Sequence, residues 1–443
     1  MSTINEQPLE RLQDALSSRA QHKPALKVAY VLLYFPRMTE TFIADEIQAI
    51  ISRNIDVKII SLLPASSSEL TQPVSQKLLK YTSYAPGLTS IAIWKAQLHF
   101  LYKASHLYIG LLARFLGQPY PNQPAALFLK RLAIFLKAVA VANYLEISGV
   151  DLLHTHFAWL SGGAAWICAR LLDKPFTVTV HAFDIYSSKR ELLGLVSREA
   201  AHVVAVSEFN RQQVSTLGIC PAEAVSVIHC GIDLAGLDVK IKTPSSDRLP
   251  DTTLKILSVG SLVPKKGHDI LIDACRLLKE KGLRFVCTIV GNGPELNKLN
   301  KMIYEKSLQS QVVLAGARLH PAIIEAYRQN DIFVLASRIA SDGDRDGIPV
   351  VLMEAGWEGL PIVSTTVSGI PELVQHMQTG LLIPPDEPIA LADAILTLAA
   401  DSKLRRQLGQ NAKTFVKSRF GIENTSMQLS NLFSNIVLQW GNR

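Results

Sequence analysis

One stretch of the sequence decides the fold class: VAYVLLYFPRMTETFIADEIQAIISRNIDVKIISLL, residues 28–63. Its first seven residues and its last seven are apolar runs of strand length. Between these runs, Thr39 is a candidate helix N-cap. The residues after it have helical spacing, with one apolar face formed by Phe42, Ile43, Ile47, Ile50 and Ile51. A strand–helix–strand unit predicts a parallel sheet with helices on both faces.

The alternation of strand and helix continues along the chain. Segments of strand length, most of them apolar, recur at 152–156, 176–180, 203–206, 256–259, 285–290, 312–314, 332–335 and 362–364. The helical segment after 256–259 has an apolar face formed by Ile270, Leu271, Ala274, Leu277 and Leu278. Gly282 follows it as a C-cap. The class is therefore α/β with parallel sheets, whose ligands bind at the carboxyl ends of the strands.

A polar stretch with two prolines, 240–250, divides the chain. With a length of 443 residues, it predicts two Rossmann-like domains that face each other across a cleft. The predicted parts are a flexible leader at 1–25, a first domain at 26–240, a linker at 241–250, a second domain at 251–420 and a C-terminal helix at 421–443 that packs back on the first domain.

The composition excludes several classes of protein. Hydrophobic residues make up 48% of the chain, which excludes disorder over most of its length. The net charge of +7 suits anionic small ligands or anionic lipid surfaces and is far from that of a dedicated nucleic-acid binder. Five cysteines without metal or redox spacing, and a polar N-terminus, predict a cytoplasmic protein. The uncharged stretch 152–169 contains two histidines and a Gly-Gly pair, so we interpret it as a strand and helix, not as a membrane span.

Residues 91–148 are strongly apolar, yet basic side chains interrupt them. Six lysines and arginines against one acid, Glu146, give this basic insertion a net charge of +5; they are Lys95, Lys103, Arg114, Lys130, Arg131 and Lys137. Helices of this composition fit the surface of an anionic bilayer, which predicts peripheral attachment to a membrane. The alternative is that they pack on the sheet and keep their basic groups in water.

Two glycine-bearing loops follow strands of the second domain. The loop GSLVPKKG, 260–267, presents backbone N–H groups at a helix start, and Lys265 and Lys266 add positive charge for a leaving diphosphate. The loop 291–293, Gly-Asn-Gly, permits close approach of the backbone to a ligand. Each loop alone also fits an ordinary turn.

Two carboxylates, Asp346 and Glu354, lie eight positions apart around a predicted helix start. Backbone N–H groups of 347–350 would face a ligand there, and Glu354 would present two acceptors to the vicinal hydroxyls of a ribose. The preceding loop DGDRDG, 342–347, resembles the start of a calcium-binding EF-hand. Met353 takes the place of the expected twelfth-position glutamate and a strand precedes the loop, so calcium is disfavoured.

Three histidines follow or occupy predicted strands. His181 comes directly after the strand 176–180, with Asp184 three residues on, and this position points into a ligand crevice. His154 and His156 lie on one side of a strand. Metal ligation by this pair needs a third ligand that the sequence does not identify, so a hydrogen-bonded structural role is favoured.

In their order and spacing these motifs resemble the retaining glycosyltransferases of family 4, which have the GT-B fold. The resemblance extends from Lys27 to about Phe420. The segments typical of the subgroup related to colanic-acid and other exopolysaccharide glycosyltransferases are FPRMTETFI (35–43), HTHF (154–157), VTVHAFD (178–184), VSEF (206–209) and HCGID (229–233). The resemblance implies a nucleotide diphosphate sugar as donor and a glycan or lipid-linked acceptor. We expect no cofactor and no metal, since no clear Asp-x-Asp motif follows a strand.

The resemblance also implies roles for individual residues. Lys266 matches the lysine that holds the donor diphosphate, and His181 matches the histidine near the reacting sugar. Asp346 and Glu354 match an acidic pair, the first near the donor sugar and the second on the ribose. The other donor-binding positions that it implies are Gly260, Ser261, Lys265, Asn292, Arg318, Leu319, Gly347, Ile348, Pro349 and Val350.

Two positions depart from the family pattern. Ser261 stands where many members have an arginine, and Asp346 stands where glutamate is usual. The expected reaction is glycosyl transfer with retention, through an oxocarbenium-like transition state. The alternatives left open are another GT-B enzyme, such as a sugar-nucleotide epimerase or a phosphorylase, and a catalytically silent sugar-nucleotide-binding partner. A nicotinamide oxidoreductase is disfavoured, because no Gly-x-Gly-x-x-Gly follows the first strand.

Overall fold

The computed structural model of the chain describes residues 26–37, 40–65, 73–119, 124–186, 191–234 and 253–442. Within these residues the chain forms two parallel β-sheets, one in each half. The leader predicted at 1–25 and the linker predicted at 241–250 lie outside the described residues.

The first sheet has seven strands in the order β3-β2-β1-β4-β5-β6-β7, and each neighbouring pair is parallel. The strands are β1 (Lys27–Tyr34), β2 (Asp56–Leu63), β3 (Thr82–Tyr84), β4 (Leu152–His156), β5 (Phe176–Val180), β6 (His202–Ala205) and β7 (Val225–Val227). The helices of this half are α1 (Thr41–Ser52), α2 (Pro73–Leu78), α3 (Ile91–Lys103), α4 (Ser105–Leu116), α5 (Pro124–Ser148), α6 (Leu160–Leu172), α7 (Ala182–Tyr186), α8 (Leu193–Glu199) and α9 (Glu208–Thr216).

The second sheet has six parallel strands in the order β10-β9-β8-β11-β12-β13. The strands are β8 (Leu254–Val259), β9 (Phe285–Val290), β10 (Val312–Leu314), β11 (Ile332–Leu335), β12 (Ile362–Thr365) and β13 (Gly380–Ile383). The helices are α10 (His268–Glu280), α11 (Leu296–Glu305), α12 (His320–Gln329), α13 (Val350–Trp357), α14 (Ile370–Leu373), α15 (Pro388–Ala400), α16 (Ser402–Phe420) and α17 (Ile422–Gly441). Residues of both halves line one cleft, so the expected arrangement of two Rossmann-like domains is confirmed.

Helix ends follow the local chemistry. Helix α1 begins at Thr41 with Glu40 at its N-cap position, and the predicted N-cap Thr39 lies outside the described residues. Helix α10 ends as predicted before Gly282, whose φ of 77° suits glycine and whose N–H bonds the carbonyl of Lys279 at 3.0 Å.

The basic insertion folds as the helices α3, α4 and α5, and the structure corrects its expected surface. Arg131 is fully buried and donates to the carbonyls of Gln118 (2.8 Å) and Pro119 (2.9 Å). Lys137 is also buried, and it donates to the carbonyls of Leu62 and Pro86. These two cations therefore satisfy backbone groups inside the first domain and cannot meet lipid phosphates.

The apolar side chains of the basic insertion divide into two sets. One set packs in the core under the helices: Phe100, Tyr108, Leu111, Phe115 and Phe135. The other set faces outward: Ile91, Trp94, Leu98, Leu101, Tyr102, Ile109, Phe128, Leu129 and Ile147. Tyr102 is 95% exposed and Leu98 is 68% exposed. In the described part of the chain, no helix combines the length and the apolar character that a membrane span needs.

The last helix, α17, packs against the first domain. Leu429, Phe433 and Ile436 of α17 share a core with β1 and α1. Arg53 at the end of α1 donates to Ser426 at 3.0 Å and pairs with Glu423 at 3.3 Å. The chain therefore crosses from the second domain back to the first, which ties the two halves together beside the cleft.

Candidate active site

A cavity of about 650 Å³ lies between the two domains. On the first domain its lining comes from the carboxyl ends of the strands: Leu32, Leu33 and Tyr34 of β1, His156 of β4, and His181 after β5. On the second domain its lining is Lys265 and the segment 345–350 except Pro349. The cavity therefore occupies the position where parallel α/β sheets bind ligands.

Close packing between the backbones of the loops 260–267 and 291–293 explains two of their glycines. A Cβ on Gly291 would lie 1.9 Å from the carbonyl oxygen of Gly260, and one on Gly293 would lie 2.5 Å from that of Leu262. The N–H of Leu262 bonds the carbonyl of Asn292 at 3.0 Å. The loops after β8 and β9 are thus held edge to edge at one end of the sheet. Side chains larger than glycine would separate them.

The two lysines of the first loop meet the acidic loop after β11. Lys266 donates to Asp346 at 2.7 Å, and Lys265 lies 3.0 Å from Asp344 and 3.8 Å from Asp346. Ser337 also donates to Asp346, at 3.3 Å. Asp346 is only 8% exposed, and these partners satisfy its carboxylate. The fold therefore brings together Lys265, Lys266 and Asp346, although about 80 residues separate them.

Glu354 lies in α13 with both carboxylate oxygens engaged. Tyr327, which is fully buried, donates to one oxygen at 2.9 Å, and His320 lies 3.0 Å from the other. This hydrogen bond to Glu354 is the main reason that the pKa of His320 is raised. Neither His320 nor Tyr327 was identified from the sequence as a partner of Glu354.

His181 sits at the mouth of the first sheet, 8% exposed. Asp184 accepts from the backbone N–H groups of His181 and Ala158, both at 2.9 Å, and holds two strand ends together. Burial raises the pKa of Asp184 to about 7. Burial and the neighbouring His156 hold the pKa of His181 well below its ordinary value, so its imidazole is neutral.

The structure gathers only part of the predicted site around the cavity. The cavity lining contains His181, Lys265, Asp346, Gly347, Ile348 and Val350. Gly260, Ser261, Lys266, Asn292, Arg318, Leu319, Pro349 and Glu354 are not among its lining residues. Leu319 is 64% exposed, next to His320 at the start of α12. These positions extend from the cavity along the strand ends of the second sheet.

Several residues that line the cavity were missed in the sequence. They are cations and aromatic side chains, namely Arg37, Phe42, Lys130, Phe157, Trp159, Phe183 and Arg345. Lys130 stacks over the Trp159 ring at 4.8 Å, and Arg345 stacks over the Tyr186 ring at 4.4 Å. A basic, aromatic lining suits sugar rings and anionic groups. The motif HTHF, residues 154–157, was the only sequence pattern noted next to Trp159, and it ends two residues before that side chain.

Glu46 is a candidate third metal ligand beside His154 and His156, and it was not identified from the sequence. The ligand atoms of Glu46, His154 and His156 lie within 4.8 Å of one another, and this is the only such group of three in the described part of the chain. The acidic loop 342–347 contributes to no such group there. Its carboxylates Asp344 and Asp346 pair with lysines instead.

Comparison with known proteins assigns the two halves separately. The family model described as Glycosyltransferase Family 4 matches residues 39–235, and the one described as Glycosyl transferases group 1 matches residues 239–415. The putative colanic acid biosynthesis glycosyltransferase WcaL of Escherichia coli is 31% identical over 86% of this chain and 91% of its own length. The amylovoran biosynthesis glycosyltransferase AmsK of Erwinia amylovora is 31% identical over 84% and 91%.

Solved structures share the fold at low sequence identity. HepE of Anabaena in complex with UDP superposes with a TM-score of 0.69 at 18% identity, over 93% of this chain and all of that one. Sucrose-phosphate synthase of Thermosynechococcus elongatus superposes with a TM-score of 0.68 at 18% identity, over 94% and 100%. At this identity the likeness concerns the two-domain fold alone.

Proposed function

We propose that this chain, which belongs to glycosyltransferase family 4, transfers a sugar from a nucleotide diphosphate donor to a glycan or lipid-linked acceptor. The observation that carries the proposal is the pairing of Lys265 and Lys266 with Asp346, which lines the same cavity as His181. Similarity to WcaL and AmsK, named for colanic acid and amylovoran biosynthesis, supports exopolysaccharide assembly as the process.

The donor diphosphate lies against the loops after β8 and β11. Negative charge on its leaving oxygen grows as the sugar departs, so Lys266 stabilises the transition state more than the bound donor. Backbone N–H groups of Gly347 and Ile348 at the start of α13 bind the same phosphates. UDP in the structure of HepE, which has the same fold, supports a nucleoside diphosphate as the donor portion.

The nucleoside extends from the phosphates toward α12 and α13. Glu354 accepts hydrogen bonds from the ribose hydroxyls, and the backbone near Arg318 and Leu319 contacts the base. In the structure His320 shares the Glu354 carboxylate at 3.0 Å. Each carboxylate oxygen has a second acceptor position, so Tyr327 and His320 leave room for a diol.

Transfer proceeds with retention and without a metal ion, with the departing phosphate taking the proton of the acceptor hydroxyl. The lysines and backbone N–H groups carry the charge that a divalent cation carries in other transferases. The acceptor enters over the first-domain lining, where Trp159 and Phe183 offer stacking surfaces for sugar rings.

A screen of nucleotide sugars by thermal unfolding tests the donor. Free donor at about 100 times its dissociation constant should stabilise the fold by about 2.7 kcal/mol. The best donor should then be hydrolysed slowly without acceptor, and proton NMR of the released sugar should first show the donor's anomeric configuration. Full activity with EDTA is expected. Binding without any hydrolysis or transfer would favour the catalytically silent partner, and the opposite anomer would rule out retention.

A further inference from the structure

A chain of buried and partly buried hydrogen bonds reaches His181 from behind the cavity. Tyr30 of β1 donates to Glu46 of α1 at 2.9 Å. The same oxygen of Glu46 lies 3.1 Å from Nε2 of His156, and Nδ1 of His156 lies 3.1 Å from Nε2 of His181. Tyr30 is fully buried and His156 is 1% exposed, whereas the side chain of Glu46 is 18% exposed, so the His156–His181 bond is the one best shielded from water.

The direction of each bond follows from its two ends. Burial and the nearby Glu46 raise the pKa of Tyr30 well above its ordinary value, so its hydroxyl keeps the proton and donates. A carboxylate only accepts, so Nε2 of His156 carries a hydrogen toward Glu46. A neutral imidazole has one N–H, which leaves Nδ1 of His156 as an acceptor for the Nε2–H of His181.

We propose that Glu46 and His156 are positioning residues that fix His181 as the Nε2–H tautomer, with the lone pair of its Nδ1 available to the cavity. Among the described residues, none donates to or accepts from Nδ1 of His181. This inference rests on the proposed function, with the transferred sugar bound in the cavity that His181 lines. Positive charge develops on that sugar as the diphosphate leaves, and a fixed lone pair stabilises it, whereas an N–H would oppose it.

The hydrogen bonds argue against a metal ion as the organiser of this cluster. The Glu46–His156 contact of 3.1 Å is a normal hydrogen bond. His154, the other candidate ligand, bonds Thr177 through Nδ1 at 2.7 Å and Thr179 through Nε2 at 3.3 Å. A bound metal would take Nε2 of His156 and force its hydrogen onto Nδ1. His181 would then carry its hydrogen on the opposite nitrogen, so the two arrangements predict opposite tautomers.

Nitrogen-15 NMR of the histidine rings tests the tautomers directly in the full-length protein. The expected spectrum has protonated Nε2 and unprotonated Nδ1 for both His156 and His181. Elemental analysis of the same sample should find less than 0.1 equivalent of zinc or other transition metal, on the order expected of adventitious traces. The opposite tautomer at His181, a doubly protonated His156, or one equivalent of metal would each overturn the proposal.

Kinetics of three variants test the consequence for transfer. Glu46→Ala frees His156 to reverse its tautomer, and turnover should fall roughly tenfold to a hundredfold while the donor Michaelis constant changes less than about threefold, because the affected charge exists only in the transition state. Glu46→Gln keeps an accepting oxygen and should restore most of the turnover. Tyr30→Phe removes a buried hydrogen bond to the same carboxylate and leaves the link to His181, so it should retain turnover.

The outcomes separate this inference from the proposed function. Full turnover in Glu46→Ala, or an equal loss in Tyr30→Phe, would overturn the positioning role. If no donor is ever transferred by the unmodified protein, the proposed function fails. The nitrogen-15 spectra of the unmodified protein and of Glu46→Ala would still show whether Glu46 determines the tautomer of His181. These spectra require a folded sample but no enzymatic activity.

Discussion

Glu354→Gln isolates the charge of the proposed ribose ligand. In the folded chain Glu354 accepts from Tyr327 at 2.9 Å and lies 3.0 Å from His320. Glutamine keeps the shape of the side chain and one accepting oxygen for Tyr327. An NH₂ group replaces the other oxygen, and it cannot accept a hydrogen bond from a ribose hydroxyl. A change to alanine would be less clean, because it would leave the buried hydroxyl of Tyr327 with only a 3.3 Å contact to the carbonyl of Val351.

The expected loss comes from hydrogen bonds to a charged group. Such bonds contribute about 1.5–3 kcal/mol, and every 1.4 kcal/mol corresponds to a factor of ten. Donor affinity should therefore fall roughly tenfold to 150-fold in Glu354→Gln. Tyr327→Phe is the matched control: it removes one hydrogen bond to the same carboxylate, costs about 1.5–3 kcal/mol of stability, and leaves the acceptor for the ribose in place.

Isothermal titration with the nucleoside diphosphate of the preferred donor measures both effects. Circular dichroism must show that both variants fold. The reasoning predicts weak binding by Glu354→Gln and near-normal binding by Tyr327→Phe. Unchanged affinity in Glu354→Gln would refute the ribose assignment, and an equal loss in both variants would mean that Glu354 acts by holding α12 and α13 together.

Three further predictions concern catalysis, closure and attachment. Lys266→Ala should lower turnover at least about tenfold with little change in the donor Michaelis constant; the reverse pattern would make it a binding group only. Glu372 of the second domain accepts from two backbone N–H groups at the start of α9 in the first domain, both at 2.9 Å. Glu372→Ala should therefore open the cleft and raise the radius of gyration in X-ray scattering. An unchanged radius of gyration would show that these bonds do not hold the two domains together. Trp94→Ser with Leu98→Ser should reduce sedimentation with anionic vesicles, whereas Tyr304→Ser should not, since Tyr304 is even more exposed but lies on the second domain.

The order of strands and helices could be predicted because burial imposes a pattern on the sequence. Both faces of a parallel strand are covered, so the run at 28–34 is apolar throughout, and the fully buried run at 176–180 contains only phenylalanine, valine and threonine. A helix end could be predicted where a residue type suited to the cap occurs, as with Gly282 after α10. Such signals lie within a few residues of the feature that they mark, and no partner from elsewhere in the chain is needed to recognise them.

Pairs of side chains at the site could not be predicted in the same way. Lys266 and Asp346 are 80 residues apart, and Glu46 and His156 are 110 residues apart. Their contact depends on the order of strands in each sheet, which brings distant strand ends side by side. The burial of Arg131 was missed for a related reason, since its partners are the carbonyls of Gln118 and Pro119 and the carboxylate of Glu191, which lies 60 residues further along the chain.

In the proposed reaction, the pairing of Lys266 with Asp346 would hold the basic loop in place before a donor binds. An ammonium group has three N–H donors, and the 2.7 Å bond to Asp346 uses one. The lysine can therefore contact a phosphate without leaving Asp346. The carboxylate lowers the net positive charge that the bound donor experiences, so ground-state binding is weaker than an unpaired lysine would give. The increase in phosphate charge during sugar departure still meets a lysine already in position, which favours turnover over tight binding of the donor.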